Sequence, residues 1–270
     1  MTEALVPRLP PHARSTIEQF LRAHALGGGM EGVVLGLSGG IDSALTARLA
    51  ADAIGPAHVL GLLLPDAAFP PALIAETEEY ARALGIESMT IPIDGIEHAF
   101  ADALPGPTDV VTIGNTKARI RMVVEYTIAR RRRRLVAGTG NKSELLLGYF
   151  TKYGDGGVDL LPIGDLYKTE VRELAAALHL PEAIRLRPPT AGLWDGQTDE
   201  AELGAPYEVV DRILRGLEEL RSEAEIVAAT GIPTDRVRDI ARRVEAGRHK
   251  RRPAPVAKIG LRTVGIDWRE

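Results

Sequence analysis

Gly36-Leu37-Ser38-Gly39-Gly40-Ile41-Asp42-Ser43 lies between a short apolar run, residues 33–37, and a stretch with helical character, residues 42–53. The run is aliphatic and β-branched, which predicts a buried strand, so these eight residues turn a strand into a helix. Consecutive glycines let the backbone enter left-handed conformations, and successive N–H groups can then face one concavity. Ser38 and Ser43 add hydroxyl donors, and the start of the helix adds a favourable dipole. The outcome is an anion nest sized for a phosphate or diphosphate. Asp42 would repel that anion unless a divalent cation bridged them, so Asp42 is read as a magnesium ligand.

Other uses of such a turn compete. A Walker A loop needs a lysine that is absent here, and the Rossmann G-x-G-x-x-G spacing is not met. Gly36-Leu37-Ser38-Gly39-Gly40 does match G-x-S-x-G, the nucleophile elbow of serine hydrolases, and an acidic residue and His249 follow in the right order. An elbow normally comes after several strands, one of which supplies part of the oxyanion hole. Here the turn follows the first expected strand. A turn with no ligand is disfavoured because Ser, Gly, Gly, Asp and Ser converge in six residues.

Outward from the turn, a Ser15–Glu18 capping box predicts a helix over 15–26. Strands are expected at 58–64, 88–93 and 135–137, and helices at 71–84, 116–131 and 168–178. Strands alternating with helices indicate an α/β fold with a doubly wound parallel sheet, which binds ligands at the carboxyl ends of its strands. Residues 181–206, rich in Pro, Gly and acids, read as a long loop, either a lid or disordered. Helices at 207–220 and 234–246 follow, then a basic tail at 248–255. The expectation is one domain over 1–270, with the helix 15–26 and the segment 207–270 packed on it.

The chain has 270 residues, 45% of them hydrophobic, and a net charge near −4. No broad basic field is present, so no nucleic-acid partner is expected; the clustered arginines suit a small anionic ligand. The lack of cysteine excludes disulfides, thiolate zinc sites, cysteine nucleophiles and sulfur relay through the chain's own thiols. Neither a signal-peptide pattern nor a run long enough to cross a bilayer is found, so a cytoplasmic protein without a membrane partner is expected.

Ser38-Gly39-Gly40-Ile41-Asp42-Ser43 resembles the pyrophosphate loop of N-type ATP pyrophosphatases, which cleave ATP between the α- and β-phosphates. That implies the adenine nucleotide alpha hydrolase-like form of the fold and ATP contacts along Gly36, Leu37, Ser38, Gly39, Gly40, Ile41, Asp42 and Ser43. GMP synthetase, asparagine synthetase, tRNA thiolases and NAD synthetase share this loop. The tRNA thiolases would bring RNA binding and reactive cysteines, of which this sequence has no sign.

The remaining motifs resemble the NAD synthetase family. Lys117-Ala118-Arg119-Ile120-Arg121 looks like its basic helix, which implies a deamido-NAD contact at Arg119. Gly138-Thr139-Gly140-Asn141-Lys142-Ser143-Glu144 implies an ATP contact at Thr139 and a second magnesium ligand at Glu144. Phe150-Thr151-Lys152-Tyr153-Gly154-Asp155-Gly156-Gly157 looks like the loop around the nicotinate, with deamido-NAD contacts at Lys152 and Asp159. Lys168 matches the lysine on the ATP phosphates; a cation at a helix start is otherwise disfavoured. Pro188-Pro189-Thr190 matches a second mobile loop in which Thr190 meets ATP, and His249-Lys250 matches a pair that binds deamido-NAD.

Residues 65–71 depart from the family pattern, and no adenosine contact is assigned there. The run Arg130-Arg131-Arg132-Arg133-Arg134 reads as a solvated helix end. The implied reaction joins ammonia to the nicotinate carboxylate of deamido-NAD through an adenylate, with magnesium, Lys168 offsetting charge and Asp155 accepting a proton. Glutamine-dependent relatives carry an extra domain with a cysteine nucleophile, so ammonia is the expected nitrogen source, free or from a separate partner. The resemblance also implies a homodimer.

Overall fold

The structure is a computed structural model that describes residues 5–106, 109–194 and 196–267. In chain order, α1 (Ala13–Ala25) leads into β1 (Val33–Gly36), α2 (Ile41–Ile54), β2 (Val59–Leu63), α3 (Pro71–Ala83) and β3 (Glu87–Thr90). α4 (Asp94–Ala103), α5 (Val110–Arg131) and β4 (Leu135–Val136) follow. The remaining helices are α6 (Lys142–Leu147), α7 (Lys168–Ala177), α8 (Glu182–Arg185), α9 (Asp199–Leu203), α10 (Tyr207–Glu218), α11 (Glu223–Thr230) and α12 (Thr234–Ala246).

The strands form one sheet in the order β3-β2-β1-β4, every pair parallel, with Val33 opposite both Val59 and Leu135. Side chains alternate across such a sheet, and both faces are covered here. Val33 and Leu35 pack with Leu21, Leu45, Leu49 and Val171 beneath α1, α2 and α7. Val34 points the other way, to Leu60, Leu62, Ile93, Ile120 and Val136. A further cluster joins Tyr167 and Tyr207 to Val210, Ile213, Val237 and Ile240, so α10 and α12 stand against α6 and α7. The expected α/β class and parallel winding are what the sheet displays.

Several local expectations change. α1 starts before Ser15 because Ala13 and Ile17 are both core residues. Ser15 then donates to His12 O at 2.9 Å, and Glu18 pairs with Arg14 and Arg22, so no capping box forms there. Capping boxes occur instead at Asn141–Glu144 and Ser222–Glu225. α5 begins at Val110 because Asp109 accepts from Thr112 N at 3.0 Å. The expected loop 181–206 contains α8 and α9, with position 195 outside the described residues. The arginine run is the solvated helix end expected, with Arg130 to Arg133 exposed; Arg132 pairs with Glu87 at 2.6 Å, and Arg134 donates to Ala57 O at 2.8 Å.

Beyond α12, Arg251 donates to Leu146 O and Val244 O, which fastens the chain as far as that residue. From 253 to 267 the tail is exposed except at Thr263, and 268–270 lie outside the described residues. Among the described residues no helix is long and apolar enough to cross a membrane.

Candidate active site

The cup is built by the end of β1. Leu37 N donates to Leu62 O at 2.8 Å, extending the ladder one residue past the strand. Gly39 then adopts φ +74°, a conformation side chains resist, and Gly40 caps α2 in extended backbone. Ser38 Oγ and Ser43 Oγ lie 3.1 Å apart, Ser43 donates to Gly40 O at 3.0 Å, and Ser38 Oγ accepts from Gly40 N at 3.2 Å. The two hydroxyls therefore brace the turn. No histidine touches Ser38, so the serine–histidine pair that an esterase requires does not form among the described residues.

Asp42, in the first turn of α2, meets residues about a hundred positions away. Lys168, at the start of α7, places Nζ 2.6 Å from Asp42 Oδ2 and 3.2 Å from Glu144 Oε1. Asn141 donates to Asp42 Oδ1 at 2.9 Å, while its own Oδ1 accepts from Glu144 N at 3.0 Å. The starts of α6 and α7 are both held by α10. Asp211, fully buried, accepts from Ser143 Oγ at 2.5 Å and from Thr169 N at 2.9 Å, and Ser143 Oγ accepts from Lys168 N at 2.9 Å. Asp211 gives no motif signal; only its place on the buried face of an amphipathic helix marks it.

Burial disfavours the Lys168 cation, but Asp42 and then Glu144 outweigh it and raise its pKa. Burial raises Glu144; Lys168 opposes that rise, while Asp42 and Asp199 add to it. Two carboxylates, Asp42 and Glu144, thus share the Lys168 ammonium. Among the described residues no three His, Cys, Asp or Glu side chains gather closely enough to hold a metal unaided. Asp42 and Glu144 fit magnesium in its usual form, where two carboxylates share the ion with phosphate oxygens and water.

One cavity of about 770 Å³ runs from this cup to the segment after α6. Thr139, Thr190, Asp155 and Lys250 line it with the cup residues, as do Phe69 and Pro70 from the segment that departs from the family pattern. Asp155 Oδ1 accepts from Thr151 N at 2.8 Å, and burial raises its carboxyl against the pull of that bond and of Lys250. Lys250 Nζ donates to Gly148 O and Phe150 O, each at 2.7 Å.

Arg119, Lys152, Asp159 and His249 do not line the cavity. Arg119 is exposed and donates to Lys152 O at 3.4 Å; Lys152 Nζ donates to His249 O at 2.8 Å, so these three form a basic rim. Asp159 accepts from Tyr126 Oη at 3.0 Å and Val136 N at 2.8 Å, bracing β4.

Three further charged groups escaped the motif reading. Arg187 donates to Gly39 O and pairs with Glu76 at 2.7 Å, bringing a cation to the back of the cup. Asp66, buried, pairs with Lys117 at 2.9 Å and Arg121 at 3.4 Å; their charge holds its carboxyl low although burial would raise it. Glu125 faces the cavity one turn along α5 from Arg121. The i, i+4 spacing from Arg121 was the available sign of it.

Known proteins resemble the chain along most of its length. The chain is 48% identical over 250 residues to the NH(3)-dependent NAD(+) synthetase of Methanosarcina acetivorans, covering 92% of this chain and 98% of that one. Among solved structures, NMN synthetase from Francisella tularensis superposes with a TM-score of 0.82 at 33% identity, covering 94% of this chain and all of that one. The NH3-dependent NAD synthetase from Campylobacter jejuni gives 0.78 at 32% identity, with 91% and 98% covered. Residues 13–254 match the family model described as NAD synthase, and with a glycine cup, paired carboxylates and a bridging lysine in one cavity, this chain belongs to the NAD synthase family.

Proposed function

We propose that this protein is an ammonia-dependent NAD synthetase: it adenylates the nicotinate carboxylate of deamido-NAD with ATP, then converts the adenylate to the amide with ammonia. The observation that carries the reading is Lys168 between Asp42 and Glu144 at the mouth of the Ser38–Ser43 cup, inside a cavity that continues to Asp155 and Lys250. A cation beside an anion cup serves a diphosphate leaving group, and an acid lining the far end serves a nucleophile that must lose protons.

The residue roles follow. The backbone from Gly36 to Ser43, with Thr139 and Thr190, binds ATP, and Lys168 neutralises charge on the departing diphosphate. The carboxylate of deamido-NAD attacks the α-phosphorus, and AMP becomes a far better leaving group than hydroxide. Arg119, Lys152, His249 and Asp159 bind the dinucleotide outside the cavity, with Lys250 at its inner end. Asp155 accepts a proton from the nitrogen. Asp42 and Glu144 are the residues that would hold magnesium, which when bound supplies positive charge to the phosphates.

The chain is proposed to act as one cytoplasmic unit and as a homodimer. Ile96, Phe100, Leu104, Val110, Val111 and Val123 expose apolar side chains on α4, the following turn and α5, and Val111 also borders the cavity. A second copy on that face would place the cavity mouth beside the dimer interface. Sedimentation of Phe100→Glu tests this; a change from dimer to monomer is expected.

ATP–pyrophosphate exchange tests the reading as a whole. Exchange that requires deamido-NAD is expected, and exchange that ignores it removes the adenylation claim. Nicotinate mononucleotide belongs in the same assay, because the likeness to the Francisella enzyme favours it as the alternative substrate.

A further inference from the structure

Glu125 is a cavity acid to which adenylation gives no task. It projects from α5 to the carboxyl end of β1, where a Cβ on Gly36 would come within 2.5 Å of its Oε1. Any side chain at position 36 would displace the carboxylate, so the first glycine of the cup also makes room for this acid. Glu125 lines the same cavity as Ser38, Asp155 and Lys250.

Among the described residues Glu125 has no hydrogen-bond or ion-pair partner. Arg121, one turn back, is directed to Leu64 O at 3.0 Å and to Asp66. Part-buried and open to the cavity, a carboxylate without a protein partner favours either a proton or a ligand that donates hydrogen bonds. The groups around it are Arg121 and Tyr126 on α5 and Asp155 on the facing loop, with Lys250 beyond Asp155. Burial first, and then the charge of Asp155, push its carboxyl up to about 7, with Arg121 opposing.

The ligand that fits an unpartnered carboxylate in a cavity that Asp155 also lines is a small cation with several N–H donors. Ammonium supplies both the charge and the donors, and amidation has to remove two protons from it. We propose that Glu125 is a catalytic residue of the amidation half-reaction, capturing ammonium together with Asp155 and taking the proton whose loss frees the nitrogen lone pair. The inference rests on the adenylation reading above.

The steps balance. An N–H bond of ammonium breaks, its electron pair stays on nitrogen, and Glu125 holds the proton. Ammonia attacks the acyl carbon, a C–N bond forms, and the C–O bond to the phosphate breaks with AMP taking the pair. The surplus proton on nitrogen passes to Asp155, and both acids release their protons to solvent once the products leave.

Glu125→Gln keeps the shape and breaks no existing hydrogen bond. The variant is compared with two nucleophiles, ammonium and hydroxylamine, the latter already unprotonated at neutral pH. Near pH 7 the rate with ammonium is expected to fall about a hundredfold, and that with hydroxylamine by less than about threefold. The ammonium defect should shrink as pH rises, because free ammonia then arrives from solution. Glu125→Asp should restore part of the ammonium rate, which a packing defect would not allow. Equal losses with both nucleophiles, an unchanged ammonium rate, or a rise in KM for ATP or deamido-NAD that accounts for the loss would each overturn the proposal. Deamido-NAD-dependent pyrophosphate exchange is followed in parallel. Exchange retained in Glu125→Gln places the defect after adenylation, whereas no exchange in the unaltered protein sinks the adenylation reading and this proposal with it.

Discussion

Lys168 and Lys152 are both offered to phosphate-bearing substrates, but their surroundings differ. Lys168 is 2% exposed and spans two carboxylates, with its own helix start tied to Asp211 through Ser143. Lys152 lies at the rim, bonded to the carbonyl of His249, and Arg119 beside it is bonded to the carbonyl of Lys152. The buried cation is fixed by the fold before any substrate arrives. The rim cations rest on neutral acceptors, which an incoming phosphate displaces readily because charge-assisted bonds are about twice as strong. Loss of a floor residue should therefore damage both chemistry and stability, and loss of a rim residue should weaken binding alone.

The largest effect is expected from Lys168→Met. It leaves Asp42 and Glu144 without their shared partner, so turnover should fall about a thousandfold and stability by about 3 kcal/mol. Steady-state kinetics and urea unfolding read the two losses; a variant within tenfold of the parent would break the contrast. Asp42→Ala and Glu144→Ala should also abolish turnover, while each still folds. Asp211→Ala comes next. It never meets substrate, yet it strands the Ser143 hydroxyl and the Thr169 amide, so a loss of about 2–3 kcal/mol is expected with a lower kcat. An unchanged unfolding midpoint would show that the helix starts hold Lys168 by themselves.

At the rim, Arg119→Ala and Lys152→Ala should each raise KM for deamido-NAD about tenfold, equivalent to about 1.4 kcal/mol. KM for ATP and the melting temperature should hardly change. A comparable rise in KM for ATP would erase the division between floor and rim.

The smallest effect concerns pH. Glu125 is raised to about 7, so between the ordinary glutamate range and that value the folded chain binds more protons than the unfolded one. The contribution of this group to stability therefore falls as pH rises through that window. Glu125→Gln removes the fall: variant and parent should melt together at about pH 4, and the variant a few degrees higher at about pH 8. Parallel melting curves at all pH values would mean that Glu125 is well solvated.

The parts of the site that could be read in advance are those whose chemistry is contiguous. The cup residues 36–43 and the segments around Glu144, Asp155 and Lys168 carry their glycines and charges within a few positions, so backbone freedom and charge type announce an anion site. The alternation of apolar runs and helical stretches likewise announces a parallel sheet with both faces covered. Local propensity misplaced what packing overrides. The Ser15–Glu18 box yielded to the burial of Ala13 and Ile17, and α4, α9 and α11 appear where only loops or nothing had been expected.

By itself, then, the amino-acid order determined the sheet's direction, the cup and the identity of the charged groups. Only the folded chain decided which charges meet. Asp42 and Lys168 are 126 positions apart, and Asp211 reaches Ser143 across 68. Arg187 returns over 148 positions to the back of the cup. Such pairings leave no periodic trace, because a charge buried at long range depends on where whole helices come to rest and not on its neighbours in sequence. For the same reason Glu125, the lone acid of a basic helix, stood out only once its carboxylate was seen against Gly36 with no partner.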